Sequence, residues 1–322
     1  MLTTLNKQLE KWLPFLTPAS VVTGVLLSTF LLSLDVIVPW VFAIMTFSGA
    51  INSSFKSLQH TISHPFPILV ALFILHILMP TWAWIVGHIT FPEDSLTVTG
   101  FILGVVIPTG ITSFIWVAMR KGNTALTLSV IIIDTMLSPF IVPASMTIFV
   151  GANVEIDILN MMKGLFFMIV IPSILGMVVN HIMKSETRTT FSTWLSPVSK
   201  LGIVFVVVIN SAEIAPYLRE VNLKLLAIAV VVFCIAFSGY LFAYLIGKLL
   251  KFEQQNLVCL IFTGGMRNIG AGVVIAVSFF PPQTAVPVVI AMLFQQMLAS
   301  LYSYFIVKFE KGNKEQSYEN II

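Results

Sequence analysis

The sequence predicts an all-α polytopic membrane protein whose ten transmembrane helices form two inverted repeats of five. Three observations predict this fold: a composition too apolar for a water-facing surface, ten apolar segments, and motifs that recur at almost one spacing. Hydrophobic residues make up 57% of the 322 residues and charged residues only 10%, whereas a soluble domain carries about 25% charged residues. The mean hydropathy is +0.99. A water-facing surface cannot be built from so few charges.

The apolar segments set the predicted order of helices. A spanning helix needs about 20 apolar residues, and ten such segments follow one another along the chain. Their approximate bounds are 13–34, 36–55, 66–88, 96–119, 124–150, 158–183, 197–212, 222–247, 255–279 and 283–307. The first follows Lys7, Glu10 and Lys11 and lacks a clear cleavage site. We therefore interpret it as a true span and not as a signal peptide.

Basic residues orient these ten spans. If both termini are cytoplasmic, 13 of the 17 basic residues fall on the inner side, as the positive-inside rule requires of short loops. They are Lys7, Lys11, Lys56, Arg120, Lys121, Lys184, Arg188, Lys200, Lys248, Lys251, Lys308, Lys311 and Lys314. The net charge of +3 comes without a basic run or an aromatic RNA-binding signature, so no nucleic-acid partner is expected. The chain is expected to lie in the lipid bilayer.

Three motif pairs predict an internal repeat. Ile-Asn-Ser ends the second and the seventh predicted helix, an aromatic-Ala-aromatic run ending in Gly lies in the third and the eighth, and Met-Leu follows two polar residues in the fifth and the tenth. The pairs are residues 51–53 with 209–211, 82–87 with 242–247, and 134–138 with 295–299, at offsets of 158, 160 and 161. Because five is odd, the second copy enters the membrane from the opposite side. Inverted repeats are tied to alternating access, with the binding site near the midplane at discontinuous helices.

The fourth and the ninth predicted helices contain glycine and proline at matching places. Residues 104–113 read Gly-Val-Val-Ile-Pro-Thr-Gly-Ile-Thr-Ser, and residues 263–270 read Thr-Gly-Gly-Met-Arg-Asn-Ile-Gly. Within lipid, broken helices persist only where the freed backbone groups find protein, water, ions or ligand. Two half-helix N-termini facing one cavity would suit a carboxylate. The alternative is a pair of kinks that only aid packing.

Two charges fall deep in the predicted spans. Arg267 lies at the ninth-helix break and Asp134 in the middle of the fifth helix. An ionisable group there costs about 2.5–3.5 kcal/mol on insertion scales and is a functional-site hypothesis by default. A structural ion pair between the two is the alternative, and Asp134 could also carry a proton. His76 is a weaker candidate, because a lone histidine in an apolar helix is more often a core residue.

These features together resemble the bile acid:sodium symporter family over essentially the whole chain. The resemblance rests on the broken fourth helix running into Arg-Lys-Gly-Asn at 120–123, Leu-Ser-Pro at 137–139, and Gly-Met-Arg-Asn at 265–268. It implies a panel domain of helices 1, 2, 6 and 7 beside a core domain of helices 3–5 and 8–10. Helices 4 and 9 would cross at their breaks, with two sodium ions behind the crossing. Implied substrates are bile acids and, in bacterial members, small carboxylates such as pantoate.

The chain departs from the family where sodium would bind. The family's ninth-helix motif, Glu-x-Gly-Met-Gln-Asn, has Thr263 and Arg267 in place of its glutamate and glutamine. Phe114 replaces the asparagine of a Ser-Asn pair, Ile131 a threonine and Leu75 a glutamine. The loss of an anionic ligand and the gain of a fixed cation make sodium binding unfavourable.

We therefore expect degenerate sodium sites, with Arg267 standing in for a bound sodium through charge-assisted hydrogen bonds. Whether Arg267 pairs directly with Asp134 is left open. The candidate sodium-site positions are Ser113, Thr127, Thr263 and Met266. The candidate ion or coupling residues are Arg267, Asp134, Thr263, Met266, Thr127, Thr135 and His76. The candidate substrate-binding residues are Thr109, Gly110, Thr112, Ser113, Asn268, Gln295 and Gln296. Any one of these polar residues on helices 5 and 10 could instead serve only to hydrogen-bond neighbouring helices to each other.

The predicted function is secondary transport of a small organic anion, a bile acid- or pantoate-like carboxylate, without sodium. No cofactor is expected, and transport would be either coupled to protons through Asp134 or uniport. A sodium symporter with shifted ligands such as Thr263 and Thr127 is one alternative, and a non-transporting receptor or scaffold is another. No nucleophile-and-base set or metal constellation lies in the spans, so an enzyme is not expected.

The expected units are residues 1–154 and 155–310 for the repeats and 311–322 for a short cytoplasmic tail. The expected location is the bacterial cytoplasmic (inner) membrane. The sequence does not fix the oligomeric state.

Overall fold

The computed structural model describes residues 2–51, 65–151, 157–218 and 222–319, and these residues are mostly helical. The helices are α1 (Leu2–Leu26), α2 (Ser28–Ala50), α3 (Phe66–Thr90), α4a (Ser95–Val106), α4b (Thr112–Met119), α5 (Thr124–Val150), α6 (Ile158–Ile182), α7 (Ser185–Glu213), α8 (Leu223–Leu249), α9a (Gln254–Gly265), α9b (Ile269–Phe279) and α10 (Ala285–Glu319). Seven helices in these ranges are long and apolar enough to cross a membrane: α2, α3, α5, α6, α7, α8 and the segment Pro282–Ile306.

Side-chain caps explain where five of these helices begin. Each is preceded by an Asp or Asn whose side chain accepts a hydrogen bond from the backbone N–H three residues later, which satisfies one of the free donors of the first turn. The capping residues are Asp94, Asn123, Asp157, Asn222 and Asn268.

Helices α1, α2, α6 and α7 form one packed group. Asn6 of α1 donates to the carbonyl of Thr193, and Gly24 faces Val208. Residue numbers rise together on both helices, so α1 and α7 run parallel. Asn180 of α6 donates to the carbonyl of Ile51 at the end of α2.

The other helices, α3 to α5 and α8 to α10, pack around the two interrupted helices α4 and α9. Trp82 of α3 and Phe242 of α8 meet edge to face, with ring centroids 5.5 Å apart. These two aromatics are members of one predicted motif pair, at an offset of 160.

Two local irregularities shape this second group. Residues Ile74–Leu78 of α3 form a π-helical turn, which widens the helix by one residue and is often found at functional sites. Pro139 lies inside α5 and cannot donate to the carbonyl of Thr135. The hydroxyl of Ser138 donates to that carbonyl instead, at 2.8 Å, so α5 continues through Pro139.

Some predicted helix bounds were wrong. The chain was expected to be helical over 13–34 and 36–55, but α1 ends at Leu26 and α2 begins at Ser28 with a 3-10 turn over Leu32–Ile37. Helix α7 begins at Ser185, whereas its apolar segment begins at 197. The added turns are rich in Ser and Thr, which lower the local hydropathy so that it does not mark them as part of the span. The motif residues Asn52 and Ser53, the inner-side Lys56 and the expected repeat boundary at 154/155 lie outside the described residues.

Candidate functional site

The two helix interruptions cross one another at the centre of the second group. Thr109 and Arg267 form an isolated antiparallel bridge. Gly110 N donates to the carbonyl of Met266 at 3.3 Å, and Asn268 N donates to the carbonyl of Pro108 at 2.7 Å. A Cβ on Gly110 would lie 2.7 Å from the Arg267 carbonyl oxygen. Only glycine allows the two backbones to approach this closely.

The crossing has local two-fold symmetry in its bonding. Arg267 follows Thr109 by 158 residues, which is one of the offsets of the predicted repeat. At the same offset, Gly110 corresponds to Asn268 and Pro108 corresponds to Met266. The bond from Gly110 N to the Met266 carbonyl is therefore equivalent to the bond from Asn268 N to the Pro108 carbonyl, with the two repeats interchanged.

Helices α5 and α10 hold the crossing through equivalent side chains. Asp134 Oδ2 accepts from Thr109 N at 2.6 Å, and Gln295 Oε1 accepts from Arg267 N at 2.9 Å. Gln295 follows Asp134 by 161 residues, the offset of the fifth-to-tenth motif pair. Each crossing residue is thus fixed by the acceptor at the same place in its own repeat.

The side chains of the two bridge residues reach across to the opposite half-helix. Thr109 Oγ1 donates to the carbonyl of Thr263 at 3.2 Å, and Arg267 Nε donates to the carbonyl of Val105 at 2.8 Å. Thr263 lies four positions before Arg267, and Val105 lies four positions before Thr109. Arg267 Nη1 also donates to the carbonyls of Gly264, at 3.0 Å, and of Thr263, at 3.4 Å.

These carbonyls lie at the C-terminal ends of α4a and α9a. The last carbonyls of a helix have no partner within it and carry partial negative charge. Arg267 is only 5% exposed, and its guanidinium bridges both half-helix ends. A buried cation therefore satisfies backbone acceptors that the two breaks leave free.

Asp134 is fully buried, and its second oxygen contacts a histidine. His76 Nε2 lies 2.7 Å from Asp134 Oδ1. His76 is in the π-helical turn of α3, and its Nδ1 is buried with no hydrogen-bond partner among the described residues. The sequence left open whether Arg267 and Asp134 bond directly, and in the structure they do not. Asp134 instead contacts His76 and the amide of Thr109, while Arg267 donates to carbonyls.

Other predicted residues border the crossing. Met266 contributes its carbonyl, and Asn268 caps α9b through a bond from Ala271 N at 3.3 Å. Ser113 is fully buried in the first turn of α4b, and its hydroxyl has no partner among the described residues. Thr112, partly exposed, begins that helix.

The remaining predicted residues bond elsewhere. Thr127 Oγ1 lies 3.1 Å from Cys259 Sγ and donates to the carbonyl of Asn123. Thr135 contributes its carbonyl to the bond from Ser138. Gln296 is exposed and accepts from Trp116 Nε1 at 3.2 Å, so it is bonded to α4b and not to the crossing.

The carbonyls of Val105 and Gly264 were not predicted as partners of Arg267. Gln295 was predicted as a substrate-binding residue and not as an acceptor that holds the crossing. The repeat offset contains the signal for its role, because the motif match places Gln295 opposite Asp134.

A helical membrane protein with two interrupted helices crossing at buried charged groups belongs to the class of secondary transporters. More specifically, the chain belongs to the Sodium Bile acid symporter family, whose profile matches residues 39–221, more than half of the chain. It is 57% identical over 299 residues to the uncharacterized protein YbaS of Bacillus subtilis (strain 168), which covers 92% of this chain and 97% of that protein.

Two further relatives have names that state a transport activity. The uncharacterized sodium-dependent transporter YocS of Bacillus subtilis (strain 168) is 25% identical over 279 residues, 85% of each chain. The probable sodium/metabolite cotransporter BASS1, chloroplastic, of Arabidopsis thaliana is 22% identical over 247 residues, 76% of this chain and 60% of that protein.

Proposed function

We propose that this integral membrane protein is a secondary transporter of a small organic anion that works by alternating access. The observation that carries the proposal is the two-fold symmetry of the hydrogen bonds at the crossing. The backbone bonds between the breaks, the bonds to Asp134 and Gln295, and the side-chain bonds to the opposite half-helix each occur once in each repeat. A two-fold relation between halves of one chain is what inverted repeats produce, and alternating access moves one part of such a structure against the other around a fixed site.

The wider architecture that we propose has ten spans. To the seven long apolar helices it adds α1, α4a with α4b, and α9a with α9b. Helices α1, α2, α6 and α7 are the proposed panel domain, and the rest are the core. Both termini are placed on the cytoplasmic side of the bacterial cytoplasmic (inner) membrane by the distribution of Lys and Arg.

We also propose that transport does not require sodium. Unwound backbone carbonyls and half-helix C-terminal ends are the groups that coordinate sodium in transporters of this architecture. Here the carbonyls of Val105, Thr263 and Gly264 accept hydrogen bonds from the Arg267 guanidinium. A sodium ion at these oxygens would lie against a fixed positive charge, so the residues present do not fit sodium at this place.

A sodium-coupled symporter is the second candidate, favoured by the printed names of two relatives. Its ligands would have to include hydroxyls such as those of Thr263 and Thr127. Thr263 Oγ1 donates to the carbonyl of Cys259 at 2.8 Å, and Thr127 donates to that of Asn123. Both hydroxyl oxygens keep acceptor capacity, because each donates its own hydrogen to a backbone oxygen.

Reversing the two ninth-helix substitutions discriminates these candidates. The variant Thr263→Glu with Arg267→Gln restores a carboxylate and removes the guanidinium. We expect its melting temperature to rise with sodium and not with potassium, since a ligand at ten times its Kd stabilises by about 1.4 kcal/mol. The unmodified protein should show no such difference. A sodium-specific rise in the unmodified protein would support the symporter.

Transport itself is tested by counterflow of labelled pantoate in proteoliposomes, with protein-free liposomes as the control. We expect saturable exchange that short monocarboxylates inhibit and that their methyl esters do not. If no carboxylate is exchanged by folded, correctly inserted protein, the proposed function is wrong.

A further inference from the structure

His76 of α3 and Asp134 of α5 form a buried pair of ionisable groups beside the crossing. His76 Nε2 lies 2.7 Å from Asp134 Oδ1, and the two side chains are 9% and 0% exposed. The other carboxylate oxygen accepts from Thr109 N at 2.6 Å. One carboxylate therefore links the imidazole of α3 to the break between α4a and α4b.

The second repeat fixes its own break with a neutral side chain. Gln295 follows Asp134 by 161 residues and accepts from Arg267 N through an amide oxygen. In α8, at the offset of 160 from the π-helical turn of α3, residues 234–238 read Cys-Ile-Ala-Phe-Ser and continue as α-helix. They include no histidine and no acidic residue. Because a neutral acceptor is enough to hold a break, the carboxylate and imidazole of the first repeat indicate a further task.

The imidazole of His76 has a nitrogen available for a proton. An ionised carboxylate only accepts hydrogen bonds, so Nε2 is the donor in the contact with Asp134. Nδ1 is then the accepting nitrogen of the neutral ring, and it is buried without a hydrogen-bond partner among the described residues. A proton at Nδ1 makes the ring a cation, and the carboxylate in contact with it compensates that charge, as buried charges require.

The charges around the pair balance before this proton binds. Helices α4a, α5, α8 and α9a pack against α3. Apart from Asp134, the buried ionisable groups that they bring are Tyr240 of α8, Cys259 of α9a and Arg267 at the end of α9a. Tyr240 and Cys259 are neutral in their ordinary forms. Arg267 acts on Asp134 through its charge without bonding to it, so the two charges cancel and a proton on His76 adds one positive charge.

We infer that the His76–Asp134 pair binds the proton that is transported together with the organic anion. The inference rests on the proposed function and names its coupling ion. Nδ1 takes the proton from water on one side of the membrane, the ion pair holds it, and Nδ1 returns it to water on the other side. Because Asp134 also holds Thr109, protonation of the ring changes the charge that acts on the α4 break. One proton with one monocarboxylate moves no net charge.

A matched pair of glutamine substitutions tests this site. In His76→Gln, an amide nitrogen can replace Nε2 as the donor to Asp134, but the side chain cannot bind a proton. His88 lies near the end of the same helix and is exposed, and its Nδ1 is bonded to the carbonyl of Trp84 at 2.9 Å. His88→Gln is therefore the control for the loss of a histidine from α3.

The first measurement compares initial rates of labelled pantoate uptake into proteoliposomes with and without an imposed proton gradient. Protein-free liposomes correct for diffusion of the neutral acid. We expect the gradient to accelerate uptake by the unmodified protein and by His88→Gln, and the acceleration to be lost in His76→Gln. Acceleration that persists in folded His76→Gln, or that is missing from an unmodified protein that exchanges pantoate, would overturn the proton site and leave transport standing.

The second measurement does not depend on transport and remains decisive if His76→Gln does not fold. In detergent-purified protein with isotope-labelled histidine rings, the NMR signal of His76 is identified as the one that His76→Asn removes. We expect this signal to change with pH while the protein stays folded, whereas a ring that only joins two helices keeps one form. A signal that does not respond to pH would overturn the inference. If folded protein exchanges no carboxylate at all, the proposed function fails, and the coupling role fails with it.

Discussion

Replacing Gly110 by alanine should separate the two crossing chains. The new Cβ would lie 2.7 Å from the Arg267 carbonyl oxygen, and ordinary contact begins at 3.4 Å, so the backbones must move apart by about 0.7 Å. That movement lengthens the bond from Gly110 N to Met266 from 3.3 Å to about 4.0 Å, beyond hydrogen-bond distance. Overpacking of this kind costs about 1–3 kcal/mol, and the lost bond adds about 1 kcal/mol.

Gly104→Ala is the matched control for this variant. Gly104 lies in α4a with open space where its Cβ would be, so alanine there should stabilise by up to about 1 kcal/mol through helix propensity. The assay is the apparent melting temperature of the purified proteins, followed by tryptophan fluorescence. At about 2–4 °C for each kcal/mol, Gly110→Ala should melt about 5 °C or more below the unmodified protein. Equal melting temperatures for the two variants would refute the close approach of the chains.

Three further predictions follow from other contacts. Asp134→Asn should abolish the response of uptake to a proton gradient; a persisting response would exclude this carboxylate as the proton carrier. In a double-mutant cycle, Trp82→Ala and Phe242→Ala should couple by about 0.5–1.5 kcal/mol, and additive effects would contradict the edge-to-face contact. Partial burial raises the pKa of Asp94, but the hydrogen bonds that it accepts, above all from Lys224, lower it by more, to below its usual value. Since the folded pKa is the lower one, Asp94→Asn should destabilise at neutral pH, and its difference from the unmodified protein should begin to shrink as the pH falls below about 4 and vanish below the lowered pKa of the folded state; a pH-independent difference would contradict this.

Much of the crossing could be predicted from sequence because its causes are local. Pro108, Gly110 and Gly265 mark the breaks, and the repeat offset brings the two breaks together. The same offset predicts contacts between equivalent residues that lie near the symmetry axis, as the aromatic pair of α3 and α8 shows.

The partners of the buried charges could not be predicted in this way. Opposite charges in neighbouring helices indicate an ion pair, but the direction of each side chain depends on helix rotation. The π-helical turn of α3 changes that rotation and brings His76 to Asp134, and apolar periodicity contains no signal for such a turn. Helix ends outside the apolar segments, such as the start of α7, are also invisible to hydropathy.

The central claim, that the Arg267 guanidinium takes the place of a bound sodium, is tested most directly by uptake into proteoliposomes under separate ion gradients. Labelled pantoate is the substrate, and potassium replaces sodium in the matched control. We predict equal uptake in sodium and in potassium, and faster uptake when a proton gradient is imposed. Uptake that requires sodium would contradict the claim, because it would show that the ion binds despite the guanidinium on these carbonyls.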